Sequence, residues 1–135
     1  MAKLKIEFDG FEEVTARLTK LEGNVKATTE KALEASRDYV VPNLHSAMAK
    51  HKRTGKTEAS IVENEKVKWT GTLAKIDVGF DLKHGGLPSI FLMYGTPKMK
   101  KDQQLYNAIY GSATQKKIRQ IQEDIFYDEI RRLGG

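Results

Sequence analysis

The sequence predicts an α+β fold, in which a small antiparallel β-sheet centred on a hairpin over residues 61–80 packs against a long N-terminal helix and a C-terminal helix. Three patterns carry this expectation. Ala74, Ile76, Val78 and Phe80 alternate with Lys75, Asp77 and Gly79, which puts an apolar row on one face of a strand. At 100 degrees per residue, Val25, Ala32, Leu33, Tyr39, Val40, Leu44 and Ala47 fall on one broad helical stripe, with Lys31, Glu34 and Asp38 largely off it. Towards the other end, Ile118, Ile121, Ile125, Phe126, Ile130 and Leu133 spread over one face of a last helix. A lone hairpin is only marginally stable in water, so the helices are its natural cover.

In chain order, Leu4, Ile6 and Phe8 alternate with Lys3, Lys5 and Glu7. Residues 1–9 therefore read either as an extended arm that pairs with a neighbouring subunit or as an extra edge strand of the chain's own sheet. Asp9 and Glu12 have the capping-box spacing, and Phe11, Val14, Leu18 and Leu21 recur at steps of three and four, which predicts a short helix stopped by Gly23. Asn24 is placed to cap the long helix, which runs to about Lys50. Pro42 removes one backbone hydrogen bond inside it, so the helix is expected to kink near residues 38–41 or to break there into two.

Residues 50–56 follow, with Lys50, Lys52, Arg53 and Lys56 supplying four formal positive charges around Gly55. Two readings stand side by side: a loop that contacts phosphates, or a solvated helix end whose cations complement the helix dipole. Charge runs are more often the second. A short turn of helix over 57–60 leads into the hairpin. Its first strand, residues 61–69, looks like an edge strand, because Glu63 and Glu65 share a face with Ile61, Val67 and Trp69. Gly71, between Thr70 and Thr72, permits the positive φ of a tight turn.

Beyond the hairpin, residues 81–89 form a loop in which Gly85 and Gly86 lack the following Lys and Ser or Thr of a phosphate-binding loop. The run Ile90, Phe91, Leu92, Met93, Tyr94 is too short to assign by period and is expected to be buried on both sides, before Gly95, Thr96 and Pro97 end it. Residues 82–87 and the stretch 96–103 are expected to be mobile in an isolated subunit. Residues 103–110 read as a helical turn ended by Gly111, and Ser112 with Gln115 suggests a capping box for the last helix.

At 135 residues the chain suits a single domain spanning 1–135. A net charge of +5 and an isoelectric point near 9.3 suit contact with nucleic acid or an acidic protein surface. The chain has no cysteine, which excludes a disulfide framework and thiolate metal sites and fits a reducing compartment. It carries no signal-peptide pattern and no run of about 20 apolar residues, so neither secretion by the usual route nor membrane insertion is expected. His45, His51 and His84 lack ligand spacing, no serine sits in a nucleophile elbow, and no carboxylate pair stands out. The expectation is a chain without catalytic residues, metal or cofactor. An enzyme whose site is assembled only by the fold is the reading that would require an activity screen.

The succession of a short helix, a long helix, Thr54-Gly55 leading to Ser60-Ile61, two β segments ending in Val78-Gly79, and then Tyr94-Gly95-Thr96 with Met99 resembles the head-tail joining and tail completion proteins of long-tailed double-stranded DNA bacteriophages. The similarity spans nearly the whole chain and lies in the order and spacing of short motifs. Two departures fall in the loop region: Met93 stands where relatives often carry an acidic residue, and residues 101–110 replace a Pro-rich, Phe-containing segment.

The resemblance implies a non-enzymatic virion component at the neck or tail, assembled in the host cytoplasm. It would form a homo-oligomeric ring that joins the DNA-filled head to the tail, and be monomeric when isolated. Its partners would be other neck, connector and tail proteins, with duplex DNA passing through without sequence recognition. The charge run itself, rather than the resemblance, makes Lys50, Lys52, Arg53 and Lys56 the candidates for contact with the lumen or a partner. The match lends Thr54, Gly55, Tyr94, Gly95 and Thr96 a structural role in turns. The rival reading is a small basic nucleic-acid-binding domain using the same loop with Lys98, Lys100 and Lys101.

Overall fold

The structure is a computed structural model and describes residues 3–7, 12–51, 55–71 and 73–134. In chain order its elements are β1 (Lys3–Glu7), α1 (Glu12–Lys20), α2 (Val25–Met48), α3 (Lys56–Ala59), β2 (Ile61–Val62), β3 (Lys68–Thr70), β4 (Leu73–Phe80), α4 (Pro88–Tyr94), α5 (Gln103–Tyr110) and α6 (Ser112–Arg132), with 3-10 turns at Ala49–His51 and Leu82–His84. The mixed helix and strand class follows the sequence patterns. Among the described residues, no helix is long and apolar enough to cross a membrane.

β4 is the centre of the sheet, bordered by β1 on one edge and by β2 and β3 end to end on the other, all antiparallel. Ala74, Ile76, Val78 and Phe80 are all buried, as the alternation predicts. They pack with Leu33, Val40, Leu44, Ala47 and Met48 of α2. The hairpin turns at Gly71, whose φ is +62°.

Of the two readings of the N-terminal stretch, the structure takes the strand. β1 joins β4 with Ile6 opposite Ile76, which puts the buried Ile6 side chain on the core face. The other edge of β4 is already occupied by the hairpin. Phe8, Asp9 and Phe11, on which part of the arm and the capping-box expectation rest, lie outside the described residues.

The expected first hairpin strand is interrupted. Ile61 and Val62 pair with Phe80 and Gly79, Lys68 to Thr70 pair with residues 73–75, and the five residues 63–67 stand opposite the three residues 76–78. A regular strand would place the Glu63 and Glu65 carboxylates on the buried face of Ile61, at a large desolvation cost. Leaving the ladder lets Glu63 reach His45 and Glu65 reach Lys68, while the Arg37 guanidinium donates to the Glu65 carbonyl at 2.8 Å.

Asn24 caps α2, its side chain accepting from the Ala27 amide at 3.0 Å. The helix does not break at Pro42 but runs on to Met48. One missing backbone hydrogen bond is outweighed by the packing of Val40, Leu44, Ala47 and Met48, because burying each large apolar side chain contributes roughly 1.5–3 kcal/mol. The turn before it differs in detail from the expectation. Glu22 carries the positive φ of +60°, and Gly23 is needed for close approach, since a Cβ there would lie 2.3 Å from Leu18 Cδ1.

The run over residues 90–94 is not buried on both sides. It belongs to α4, which buries only Ser89 and Met93, one turn apart, and leaves Phe91 and Tyr94 half exposed. Nor does Ser112 cap α6. Gly111 holds the cap position, while the Gln115 side chain donates through Nε2 to the Ile109 carbonyl at 2.9 Å and the Thr114 hydroxyl to the Asn107 carbonyl at 2.7 Å, closing the end of α5. The buried row of α6 is Thr114, Ile118, Gln122, Phe126 and Ile130, with Ile121, Ile125 and Leu133 only partly covered. A second apolar cluster forms where Val14 and Leu18 of α1 meet Ala32, Phe126 and Ile130.

Candidate functional site at the end of the long helix

Three segments meet where α2 ends: the 3-10 turn Ala49–His51, the start of α3 after Gly55, and α4 with the turn behind it. Gly55 has a φ of +76° and redirects the chain into α3. Between them runs a groove of about 870 Å³. Met48, Lys50 and Thr57 line one side, and Phe91, Leu92 and Met99 line the other.

Asp102 organises this end of the molecule. Its side chain caps α5, accepting from the Leu105 amide at 3.1 Å, and is only 6% exposed. The His51 ring hydrogen-bonds the same carboxylate, and Lys50 Nζ lies 3.3 Å from it while donating to Gln104 Oε1 at 3.1 Å. Burial acts to raise the Asp102 pKa, but the bonds from His51, the Leu105 amide and Lys50 together outweigh it and hold the carboxyl below its usual range. The buried carboxylate therefore stays charged and ties α5 to the end of α2.

The turn after α4 is built around Gly95, whose φ of +78° suits glycine. A Cβ at this position would also stand 2.9 Å from the Lys101 amide nitrogen. Thr96 and Met99 exchange backbone hydrogen bonds of 2.8 and 3.1 Å, and the Asp102 amide donates to the Leu92 carbonyl at 2.7 Å. The Tyr94 ring meets Tyr106 edge-on at 5.9 Å, and Tyr106 lies 5.3 Å from Tyr110. Burial, together with the hydrogen bond to Tyr94, pushes the Tyr110 hydroxyl up to about 12. The Lys101 ammonium sits 3.8 Å over the Tyr106 ring.

A separate ionic cluster lies further back along α2. His45 Nδ1 is 2.9 Å from Glu58 of α3, and Nε2 is hydrogen-bonded to Glu63. Burial acts to lower the His45 pKa, but the two carboxylates prevail and raise it. Among the described residues, no group of three or more His, Cys, Asp or Glu side chains is placed to hold a metal ion.

The candidates from the basic stretch divide. Lys50 is half exposed on the groove and engaged by Asp102, and Lys56 is exposed at the start of α3. Lys52, Arg53 and Thr54 lie outside the described residues. Gly55 borders the same groove as Met99, and Tyr94, Gly95 and Thr96 form the turn beside it. Sequence reasoning missed His51 and Asp102, which it counted in a charge run and a loop. The signal was present, since Asp102 stands three residues before Leu105 in the pattern of a helix N-cap. It also missed the groove, whose walls come from segments far apart in the chain. Compared with known proteins, the chain matches no family model, no curated protein and no solved structure.

Proposed function

We propose that this protein is a non-enzymatic structural component of a tailed bacteriophage or prophage virion, joining the DNA-filled head to the tail as one subunit of a ring at the neck. The observation that supports this reading most is the convergence of the segments that carry the resemblance. Ser60 accepts from the Asp81 amide at 2.8 Å, Ile61 pairs with Phe80 beside Val78-Gly79, and the groove lies between Gly55 and the turn that follows Tyr94. Motifs spread along the chain thus meet in pairs, Ser60-Ile61 with the end of β4 and Gly55 with the turn after Tyr94. A closed ring needs two different surfaces of each subunit to meet, and the groove offers one.

Deleting the chain from its phage or prophage tests the role. Full heads and finished tails are expected to accumulate unjoined, and normal infectious particles from the deletion would overturn the reading. Replacing Lys50, Lys52, Arg53 and Lys56 by Ser is expected to leave folding intact, because Asp102 keeps His51 and the Leu105 amide, yet to lower the yield of infectious particles. The isolated protein is expected to bind free duplex DNA weakly at any salt. Tight binding that falls steeply as salt rises would favour the small nucleic-acid-binding domain instead.

A further inference from the structure

We infer that the groove between the end of α2 and α4 is a docking site for an acidic segment of a partner protein that anchors itself with apolar side chains. The inference rests on the chemistry of the groove and is independent of the neck reading. Its first support is the distribution of exposed apolar surface. Among the described residues, Leu87, Phe91, Tyr94 and Met99 are 53%, 49%, 50% and 39% exposed, and apart from them only Leu73 and Tyr127 are large apolar side chains of comparable exposure. Leu87, just before α4, and Phe91 and Tyr94 within it follow at steps of four and three beside the groove, and of these Phe91 joins Met99 on the groove wall. Such a concentration marks a contact surface, whereas scattered single residues do not.

Charge identifies the occupant. Lys50 lines the groove with 53% of its side chain exposed, Lys56 stands between the lining residues Gly55 and Thr57, and Lys98 and Lys100 flank Met99, all exposed. Asp102 is buried and pairs with Lys50, so the positive charge the rim offers a partner is carried chiefly by Lys98 and Lys100. Each exposed pair contributes little alone, but a rim of one sign steers and selects a partner of the other.

The lining favours a polypeptide over a nucleic acid. Leu92 and Met99 present aliphatic and thioether surface, which moulds to apolar side chains. Single-stranded nucleic acid is held by a succession of aromatic faces, whereas here the Tyr94 ring is engaged by Tyr106. A volume of about 870 Å³ accommodates several side chains.

The test is selection of a random-sequence displayed peptide library on the immobilised protein, followed by fluorescence anisotropy with the enriched peptides. Enrichment in Asp and Glu around Leu, Phe or Met is expected. Phe91→Ala is expected to weaken binding by about thirtyfold, the size of an interface hot spot. Lys98→Glu combined with Lys100→Glu is expected to weaken it by about tenfold and to flatten its salt dependence. These side chains are exposed, so an unchanged circular dichroism spectrum and melting curve accompany the result. Failure to enrich any peptide, enrichment of basic or uncharged ones, or equal binding by Phe91→Ala overturns the inference. A labelled single-stranded oligonucleotide that binds in a Phe91-dependent way assigns the groove to nucleic acid and overturns it as well.

Discussion

The two apolar clusters share α2 and α6, yet one is a sheet covered by helices and the other is entirely helical. In the larger cluster, Val40 and Leu44 pack with Ile6, Ile76 and Phe80, and Ile118 joins from α6. In the smaller, Ala32, Phe126 and Ile130 face Val14 and Leu18. The border falls at Ser36 and Gln122, both buried and 3.4 Å apart, with the Ser36 hydroxyl donating to the Ala32 carbonyl at 2.8 Å. Along α2 the buried row reads Ala32, Ser36, Val40, and along α6 it reads Phe126, Gln122, Ile118. A polar pair thus sits where the helices pass from one core to the other. Because buried polar groups need partners, the pair is expected to favour the register of the two helices that keeps them together.

The comparison can be broken most forcefully in the larger cluster. Ile76→Asp would bury an unpaired carboxylate against α2, which costs several kcal/mol out of a total stability of about 5–15 kcal/mol. Loss of the cooperative thermal transition is expected. An unchanged melting temperature would remove the hairpin from the centre of the fold.

In the smaller cluster, Phe126→Ala is expected to cost about 3–5 kcal/mol. Here the informative readout is amide exchange resolved by residue. Protection should fall first in α1 and at the ends of α2 and α6 that pack on it, with β4 retained. Equal loss of protection in β4 would mean that the two clusters unfold as one unit.

The smallest effect on stability is expected at the border itself. Replacing both partners, as Ser36→Ala with Gln122→Leu, should change stability by no more than about 1 kcal/mol, because both polar groups leave together. The cost is expected in uniqueness of packing, visible as broadened amide resonances along α2 and α6. Sharp spectra indistinguishable from the parent protein would show that the apolar neighbours set the register without the pair.

β4 and α2 were legible because strong periodicity states which face is buried: Ile76 and Val78, or Leu33, Val40 and Leu44, each recur on one face of their element, and that face lies in the core. The interruption of the first hairpin strand was half legible. Glu63 and Glu65 mark a face that a core does not accept, but their destinations, His45 and Lys68, depend on where α2 lies over the sheet. The candidate site was the least legible part. Lys50 and Lys56 stood out by charge, whereas Asp102 and Phe91 acquire their roles only from what the fold brings beside them.

Composition and periodicity by themselves determined the class of fold, the burial of the β4 face, the cap at Asn24 and the turn at Gly71, since each depends on local backbone preference or on the spacing of apolar side chains. Tertiary structure alone decided that β1 borders β4, that α2 continues through Pro42, that residues 88–94 are a half-exposed helix, and that His51, Lys50 and the Leu105 amide meet on one buried carboxylate. Those outcomes depend on contacts between residues distant in the chain, where the free energy of burial outweighs local preference and no short stretch of sequence contains both partners.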